Sequence, residues 1–271
     1  MSGTKDAYLP FWSPDSRFIG YFSHGQLRRI SMEGGLSMVL CNVGFDPRGA
    51  AWGQDGTILF VPDWNHPVFR VPDRGGEPVQ VTRLDPSRLE LSHRWPHFLP
   101  DGNHFLYYTV STYPELNPEN PSAADRSGLY AGSLDGMEPR LVQKVRSRAV
   151  YSDGWLLFVD DGVLMARGFD PESLNLQENS VSLADGVTQS ADAVWGAALF
   201  SVSDEDTLLF VRGAAENRGV SRLVLRDRKG TQIRTFGEPA TYNSLRLSHD
   251  GKRAALSRSG GPTAGNSSTL I

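Results

Sequence analysis

FWSPDS at residues 11–16, followed after one residue by the strand-forming run FIGYF at 18–22, decides the fold of this chain. The phrase joins an aromatic lead-in, a turn centred on Asp and a short β-forming run. It returns as AWGQDG before ILFV (51–61), FLPDG before FLYY (98–108), YSDG before LLFV (151–159), FSVSD before LLFV (200–211) and LSHDG before AAL (247–256). The turn residues are Asp15, Asp55, Asp101, Asp153, Asp204 and Asp250, spaced 40 to 52 residues apart. Such a period is typical of the four-stranded blades of a β-propeller.

Further strands inside each repeat fit the same interpretation. Alternating apolar and polar residues predict third strands at 26–30, 68–71, 128–134, 163–167 and 222–225, and fourth strands at 38–40, 79–82, 140–143 and 232–236. No segment sustains the 3.6-residue apolar period of a capped helix. We therefore predict an all-β propeller of four-stranded antiparallel blades, about five of them complete and a sixth partial. The predicted domains are one propeller over 1–258 and a disordered or truncated tail over 259–271.

The incomplete sixth repeat leads to an expectation about the parent protein. An open ring leaves unpaired strand edges, which promote aggregation unless they are covered. We therefore expect the chain to be a segment of a larger protein that contains a propeller. The alternative is that the N-terminal residues complete the last blade, although YLP at 8–10 is short for that purpose.

Composition excludes several classes of function. The formal net charge of −4 argues against wholesale binding to nucleic acid, which normally requires a basic excess. Cys41 is the only cysteine, so neither an intrachain disulfide nor a multi-cysteine zinc site can form. No apolar run is long enough to span a bilayer, so we expect no direct membrane insertion of this chain. Its cellular location is not determined by these features.

The phrases at 11–19 and 92–102 (SHRWPHFLPDG) resemble WD-repeat-like propellers of the TolB type. The similarity is greatest to the propeller region that follows the catalytic domain of bacterial serine/threonine protein kinases. The kinase chemistry of that family lies in a separate domain, and this chain has no Gly-rich loop, H-R-D or D-F-G motif. The resemblance implies a non-catalytic sensing or interaction module of a receptor-like kinase that is anchored in a membrane and carries this module outside the cytoplasm.

The sequence contains no clear catalytic or metal-binding motif. A G-x-S-x-G nucleophile elbow does not occur. The densest histidine group is His93, His97 and His104, but residues four apart on a strand lie roughly 13 Å from each other, too far to share one ion. We therefore predict no cofactor, no metal and no catalytic residue. A propeller hydrolase or lyase with acidic residues in the central channel stays open as the alternative.

One arginine pattern predicts a binding site. Arg48, Arg94 and Arg146 each stand seven residues before the turn Asp of their own repeat, in the loop that leads into the innermost strand. These loops gather around the mouth of the central channel, and Arg148 and Arg246 occur nearby in their own repeats. Guanidinium groups capture carboxylate or phosphate bidentately, so the pattern predicts an anion-binding funnel. The alternative is that each Arg is bound to an acidic or carbonyl group of the next blade.

Aromatic residues also fall at or near these loops. Most are expected to pack between blades, as Tyr8, Trp12, Trp52, Trp195 and Tyr242 would, whereas Trp95, beside Arg94, is the candidate ligand contact. The proline-rich segment 111–122 is predicted to be an inserted loop that overhangs the same face. The turn Asp residues are interpreted as scaffold that caps backbone N–H groups. The expected partner is a protein, a peptide or a small anionic ligand.

Overall fold

In the computed structural model, strands account for nearly all regular structure, and one 3₁₀ turn at Pro86–Arg88 is the only helical element of the described residues. The structure describes residues 4, 6–111, 127–189, 197–204, 207–213, 221–227 and 230–258. Within that part of the chain, no helix has the length and apolar character that crossing a bilayer requires. The predicted insertion at 111–122 and the predicted tail at 259–271 fall almost entirely outside the described residues.

Five four-stranded antiparallel sheets follow one another along the chain. The first two are β1 (Tyr8–Trp12), β2 (Phe18–Ser23), β3 (Gln26–Ser31) and β4 (Met38–Asn42), then β5 (Ala50–Trp52), β6 (Thr57–Phe60), β7 (Phe69–Pro72) and β8 (Val79–Gln80). The third is β9 (Glu90–Phe98), β10 (His104–Ser111), β11 (Gly128–Ser133) and β12 (Arg140–Gln143). The fourth is β13 (Ala149–Ser152), β14 (Trp155–Asp160), β15 (Val163–Asp170) and β16 (Asn175–Ala184). The fifth is β17 (Phe200–Val202), β18 (Leu208–Arg212), β19 (Ser221–Arg226) and β20 (Gln232–Ala240).

A sixth, two-stranded sheet of β21 (Tyr242–Leu247) and β22 (Ala254–Arg258) completes the described part of the chain. In every sheet the chain order equals the spatial order, so each blade is a simple meander. The fold prediction is therefore confirmed: the protein is an all-β propeller with five four-stranded blades and a partial sixth. The division into a 1–258 domain and a separate tail stays a prediction.

The innermost strands form a closed ring. Each of β1, β5, β9, β13, β17 and β21 contacts the next, and β21 also contacts β1. Side chains join the sixth sheet to the first: the indole Nε1 of Trp12 donates to the Arg246 carbonyl at 3.0 Å, and Arg253 donates to the Ser16 carbonyl at 2.8 Å. The ring of the isolated chain thus closes through side-chain contacts between the first and sixth sheets.

The apolar core lies between neighbouring blades, where the two faces of successive sheets meet. Phe22, Trp52 and Phe60 are buried between the first and second blades, and Val159 and Phe210 between the fourth and fifth. Burial of these large side chains supplies the main driving force for blade stacking, at roughly 25 cal/mol per Å² of apolar surface removed from water. Inter-blade packing therefore fixes the relative positions of the innermost strands.

Two innermost strands carry a bulge that turns a side chain toward the channel. Leu9 has a φ of +50° and Trp95 a φ of +54°, and each precedes a proline. The pairing register of β1 shifts between Tyr8 and Phe11, and that of β9 shifts opposite Trp95. Leu9 and Trp95 belong to one apolar cluster although they come from the first and third blades. The bulges therefore place Leu9 and Trp95 against each other inside the ring.

Candidate functional site

A cavity of about 910 Å³ occupies the centre of the ring. Its walls are formed largely by the innermost strands of all six sheets and by the turns that follow them. Because every blade contributes to one concave space, residues remote in sequence meet there. Central cavities of this size are ordinary small-molecule sites.

Aromatic rings form much of the cavity wall. Trp12, Trp52 and Trp95 all line the cavity, and each is less than a tenth exposed. Trp95 is the bulged residue of β9 and holds an unusual left-handed backbone conformation. Such strain persists only where the surroundings enforce it, and it is concentrated at functional sites. Trp95 thus combines a strained backbone with a place in the cavity wall, and its prediction as a ligand contact requires that place.

Two arginines lie in the same wall. Arg148 is 5% exposed; its Nε donates to the Ala198 carbonyl at 2.9 Å, and a terminal nitrogen donates to the Phe200 carbonyl. The guanidinium of Arg148 also lies over the Phe200 ring, 4.6 Å from its centroid. Arg246 lies two blades further round, in the sixth sheet, and donates from one terminal nitrogen to the Leu245 carbonyl at 2.7 Å. Desolvation lowers the pKa of Arg246 to about 10, and desolvation with the nearby charge of Arg246 lowers the pKa of Arg148.

His97 is held neutral beside these charges. Desolvation lowers the pKa of His97 to about 4, and the charges of Arg148 and Arg246 act in the same direction. The Nε2 of His97 lies 3.2 Å from the Tyr151 carbonyl. A carbonyl oxygen only accepts, so Nε2 carries the proton and Nδ1 is left as an acceptor. The imidazole therefore offers the cavity an uncharged nitrogen.

A second histidine forms a pair with a carboxylate across two blades. The Nδ1 of His249 lies 3.0 and 3.2 Å from the two carboxylate oxygens of Asp204. The backbone holds the pair in place, because the Asp204 N–H donates to the His249 carbonyl and the His249 N–H donates to Ser16 Oγ at 3.0 Å. The carboxylate fixes the proton on Nδ1, which leaves Nε2 of His249 as a base. Both residues line the cavity.

The turn Asp residues of the other repeats make local contacts. Asp15, Asp55 and Asp250 each accept the backbone N–H of the second residue after them, at 2.9 to 3.1 Å. Asp101 accepts the N–H groups of Asn103 and His104. The structure gives Asp153 a left-handed φ of +42°. These geometries are what a turn scaffold requires, and Asp204 differs from them by its pairing with the histidine of another blade.

Three of the predicted arginines lie elsewhere. None of Arg48, Arg94 and Arg146 lines the cavity: Arg48 and Arg146 precede the innermost strands of their blades, and Arg94 lies in the middle of β9. Arg48 forms an ion pair with Asp46. Arg94 is fully buried, with its Nε donating to Ser92 Oγ at 3.1 Å, and Arg146 is exposed. The structure thus brings Trp95, Arg148 and Arg246 together and leaves the other three apart; their role in ligand binding stays a prediction.

Sequence reasoning missed the His249–Asp204 pair, which joins residues 45 positions apart. The available signal was weak: the fifth turn lacks the Gly or Ser that follows Asp in the other repeats, and His249 immediately precedes Asp250. Trp195, expected near the same loops, lies outside the described residues. No group of three His, Cys, Asp or Glu side chains suited to a metal ion occurs in the part of the chain that the structure describes.

Fold and cavity define the protein as a β-propeller with a central site. No family model matches the chain. A curated relative, an uncharacterized protein of Agrobacterium fabrum, is 30% identical over 108 residues, which is 36% of this chain and 34% of that protein. The match therefore spans about a third of the relative's length.

Solved structures share the architecture across nearly the whole chain. A TolB candidate from Agrobacterium tumefaciens superposes with a TM-score of 0.65 at 19% identity, covering 96% of this chain and 92% of that one. A gluconolactonase from Xanthomonas campestris gives 0.69 at 14% identity, with coverages of 99% and 87%. A luciferin-regenerating enzyme gives 0.67 at 10% identity, with coverages of 98% and 90%. At these identities the likeness establishes the fold, and the TolB-like part of the sequence resemblance is confirmed.

These comparisons correct two expectations. The prediction of a non-catalytic sensing module of a receptor-like kinase is wrong, because similar structures include a gluconolactonase and a luciferin-regenerating enzyme and show no link to a kinase. The prediction that the chain is not an enzyme is wrong for the same reason. The absence of kinase and serine-hydrolase motifs does not exclude an enzyme, because those motifs belong to other folds and do not describe a site assembled from six blades.

Proposed function

We propose that the protein is a propeller hydrolase that cleaves a carboxylic ester or lactone in the central cavity, with His249 as the general base. The observation that carries this proposal is the His249–Asp204 pair at the cavity wall, with Nδ1 of the imidazole 3.0 Å from the carboxylate. A carboxylate that fixes the tautomer of a histidine is the usual arrangement for a general base. The solved gluconolactonase of the same architecture supports lactones as the first substrates to test.

The reaction follows from the groups present. Nε2 of His249 takes a proton from a water molecule, and the resulting hydroxide attacks the carbonyl carbon of the substrate. Negative charge then develops on the carbonyl oxygen, where the positive field of the fixed Arg148 guanidinium stabilises it. The C–O bond breaks, and the proton held by His249 passes to the leaving alkoxide. The products are an alcohol and a carboxylic acid, which releases its proton to solvent and becomes a carboxylate.

Contacts between neighbouring blades of the ring hold the general base, His249, in position. His249 is held through its backbone by the first and fifth blades and through its side chain by Asp204. An imidazole held in place loses little entropy on reaching the transition state. Closure of the ring is therefore a condition for activity in this mechanism.

The test is hydrolysis of a panel of γ- and δ-lactones and p-nitrophenyl esters, followed in a pH-stat or by absorbance. We expect saturable hydrolysis by the wild-type chain and a fall in kcat/KM of about 10²–10⁴ in His249→Gln. Asp204→Asn should give a smaller fall, because the imidazole stays while its orientation is lost. His104→Gln is the matched control: His104 also pairs with a turn carboxylate, that of Asp101, but does not line the cavity.

Two results would overturn the proposal. One is a wild-type chain, folded by near-ultraviolet circular dichroism, that hydrolyses no member of the panel faster than buffer. The other is a folded His249→Gln chain as active as wild type. A loss of activity in His104→Gln equal to that in His249→Gln would show that the effect is general destabilisation.

A further inference from the structure

The cavity wall contains two arginines, Arg148 and Arg246, that form no ion pair with a carboxylate of the described residues. The ion pairs of arginines in that part of the chain involve Arg29, Arg48, Arg88 and Arg253, and neither Arg148 nor Arg246 is among them. Placing two guanidinium groups in one desolvated wall is costly, and a compensating anion removes much of that cost. We infer that the substrate carries an anionic group, a carboxylate or a phosphate, which binds to Arg246 with Arg148 behind it. This inference rests on the proposed function and specifies its substrate class.

The two arginines have different roles in this arrangement. Arg148 uses Nε and one terminal nitrogen to hold the carbonyls of Ala198 and Phe200, and its guanidinium lies over the Phe200 ring. It thereby ties the fourth blade to the fifth and acts as a fixed positive charge. Arg246 uses one terminal nitrogen on the Leu245 carbonyl, so Nε and the other terminal nitrogen are the donors left for a ligand. That pair of donors is the fork with which arginine binds carboxylate or phosphate bidentately.

The position of Arg246 relates the anion to the reacting bond. Arg246 is the next-to-last residue of β21 and His249 lies in the turn that follows, so both belong to one hairpin of the sixth sheet. Trp12 fixes that hairpin by donating from its indole to the Arg246 carbonyl. A small substrate can therefore place its charged end on Arg246 and its ester or lactone carbonyl near His249.

Charge around the cavity restricts the ligand further. The turn carboxylates Asp55, Asp101, Asp153 and Asp204 also line the cavity. Negative charge at the turns and positive charge in the wall oppose a polyanion and favour a ligand with a single charged end. The inferred substrate is thus a small monoanionic ester or lactone.

Binding of non-hydrolysable probes tests the inference separately from catalysis. Acetate and inorganic phosphate serve as the anions, and acetamide serves as the neutral probe of the size of acetate. Trp12, Trp52 and Trp95 line the cavity, so intrinsic fluorescence at low ionic strength reports binding, and calorimetry confirms it. We expect saturable binding of one or both anions by wild type and none of acetamide. The anion that binds more tightly then shows whether the anionic group of the ester or lactone substrate is a carboxylate or a phosphate.

Variants assign the binding to the cavity. Arg246→Gln should weaken anion binding about tenfold to a hundredfold, the value of a hydrogen bond to a charged group. Arg246→Lys keeps the charge without the fork and should bind with intermediate affinity. Arg74→Gln is the matched control, because Arg74 is exposed and lies outside the cavity. Its affinity should equal that of wild type.

The outcomes separate this inference from the proposed function. Failure of wild type to bind either anion, or equal affinity in wild type and both Arg246 variants, would overturn the anion site. Equal kcat/KM for neutral and carboxylate-bearing lactones in wild type and Arg246→Gln would also overturn it, while leaving the hydrolase intact. Anion binding that is lost in Arg246→Gln, in a chain that hydrolyses nothing, would support the anion site and remove the hydrolase.

Discussion

Gly49 and Trp95 provide the sharpest test of how the central cavity is built. Gly49 has a φ of +96°, and a Cβ added to it would lie 2.6 Å from Cε3 of Trp95 and 3.2 Å from Cζ3. Gly49→Ala therefore meets two obstacles, a left-handed backbone that alanine disfavours and an indole with which it collides. The backbone costs about 1–2 kcal/mol and the collision about 1–3 kcal/mol. We expect Gly49→Ala to lower the free energy of unfolding by about 2–5 kcal/mol.

A second glycine separates the two contributions. Gly34 has a φ of +92°, nearly that of Gly49, and an added Cβ would meet no atom within 4 Å. Gly34→Ala should therefore cost only the backbone share, about 1–2 kcal/mol. The assay is equilibrium unfolding in urea followed by tryptophan fluorescence, with circular dichroism as a second probe of two-state behaviour.

A double-mutant cycle with Trp95→Ala decides the case. Once the indole is absent, Gly49→Ala should cost about 1–2 kcal/mol, so the two substitutions should be coupled by about 1–3 kcal/mol. Additivity within about 0.5 kcal/mol would refute the reasoning, because it would mean that the Trp95 ring does not occupy the space beside Gly49. Equal costs for Gly34→Ala and Gly49→Ala would refute it as well.

Three further predictions concern buried groups. The folded-state pKa of His97 is about 4, below its unfolded value near 6.5. The unfolded chain therefore binds the proton first, and the free energy of unfolding decreases as the pH is lowered from about 6.5 to about 4. Between pH 7.5 and pH 5, wild type should lose about 2 kcal/mol more than His97→Gln in urea unfolding. The Glu90 carboxylate is 1% exposed and accepts hydrogen bonds from the Asp85 N–H, Arg88 Nε and His93 Nε2. Glu90→Leu should therefore lower the free energy of unfolding by about 3–5 kcal/mol and lower the melting temperature. A loss below about 1 kcal/mol would contradict the buried network. Burial raises the pKa of the Cys41 thiol to about 11. The thiol should therefore react with Ellman's reagent slowly in the native chain and rapidly in urea. Equal rates in both conditions would show that Cys41 is accessible in the native chain.

Local patterns were readable from the sequence. The Asp turns make contacts two or three residues along the chain, as from Asp15 to Arg17 and from Asp101 to His104, so the residue types predict them. The predicted third strands agree with β3, β7, β11, β15 and β19 to within a few residues, because alternation depends only on which face of a strand is buried. The fourth strand of the fourth blade, β16, was not predicted, since most of its residues are exposed and it lacks a clear apolar alternation.

The blade and its repetition, and therefore the propeller, can be read from the residue pattern, because they depend on contacts within one meander. The site depends instead on how the blades pack against one another. Asp204 meets His249 from 45 residues away, and Arg148 reaches Ala198 and Phe200 across about 50 residues, so both contacts depend on how adjacent blades are rotated. The cavity is also lined by positions of the innermost strands other than those that carry Arg48, Arg94 and Arg146. Equivalent spacing in sequence places residues at equivalent heights in the ring, but bulges and inter-blade packing decide which side chains face its centre.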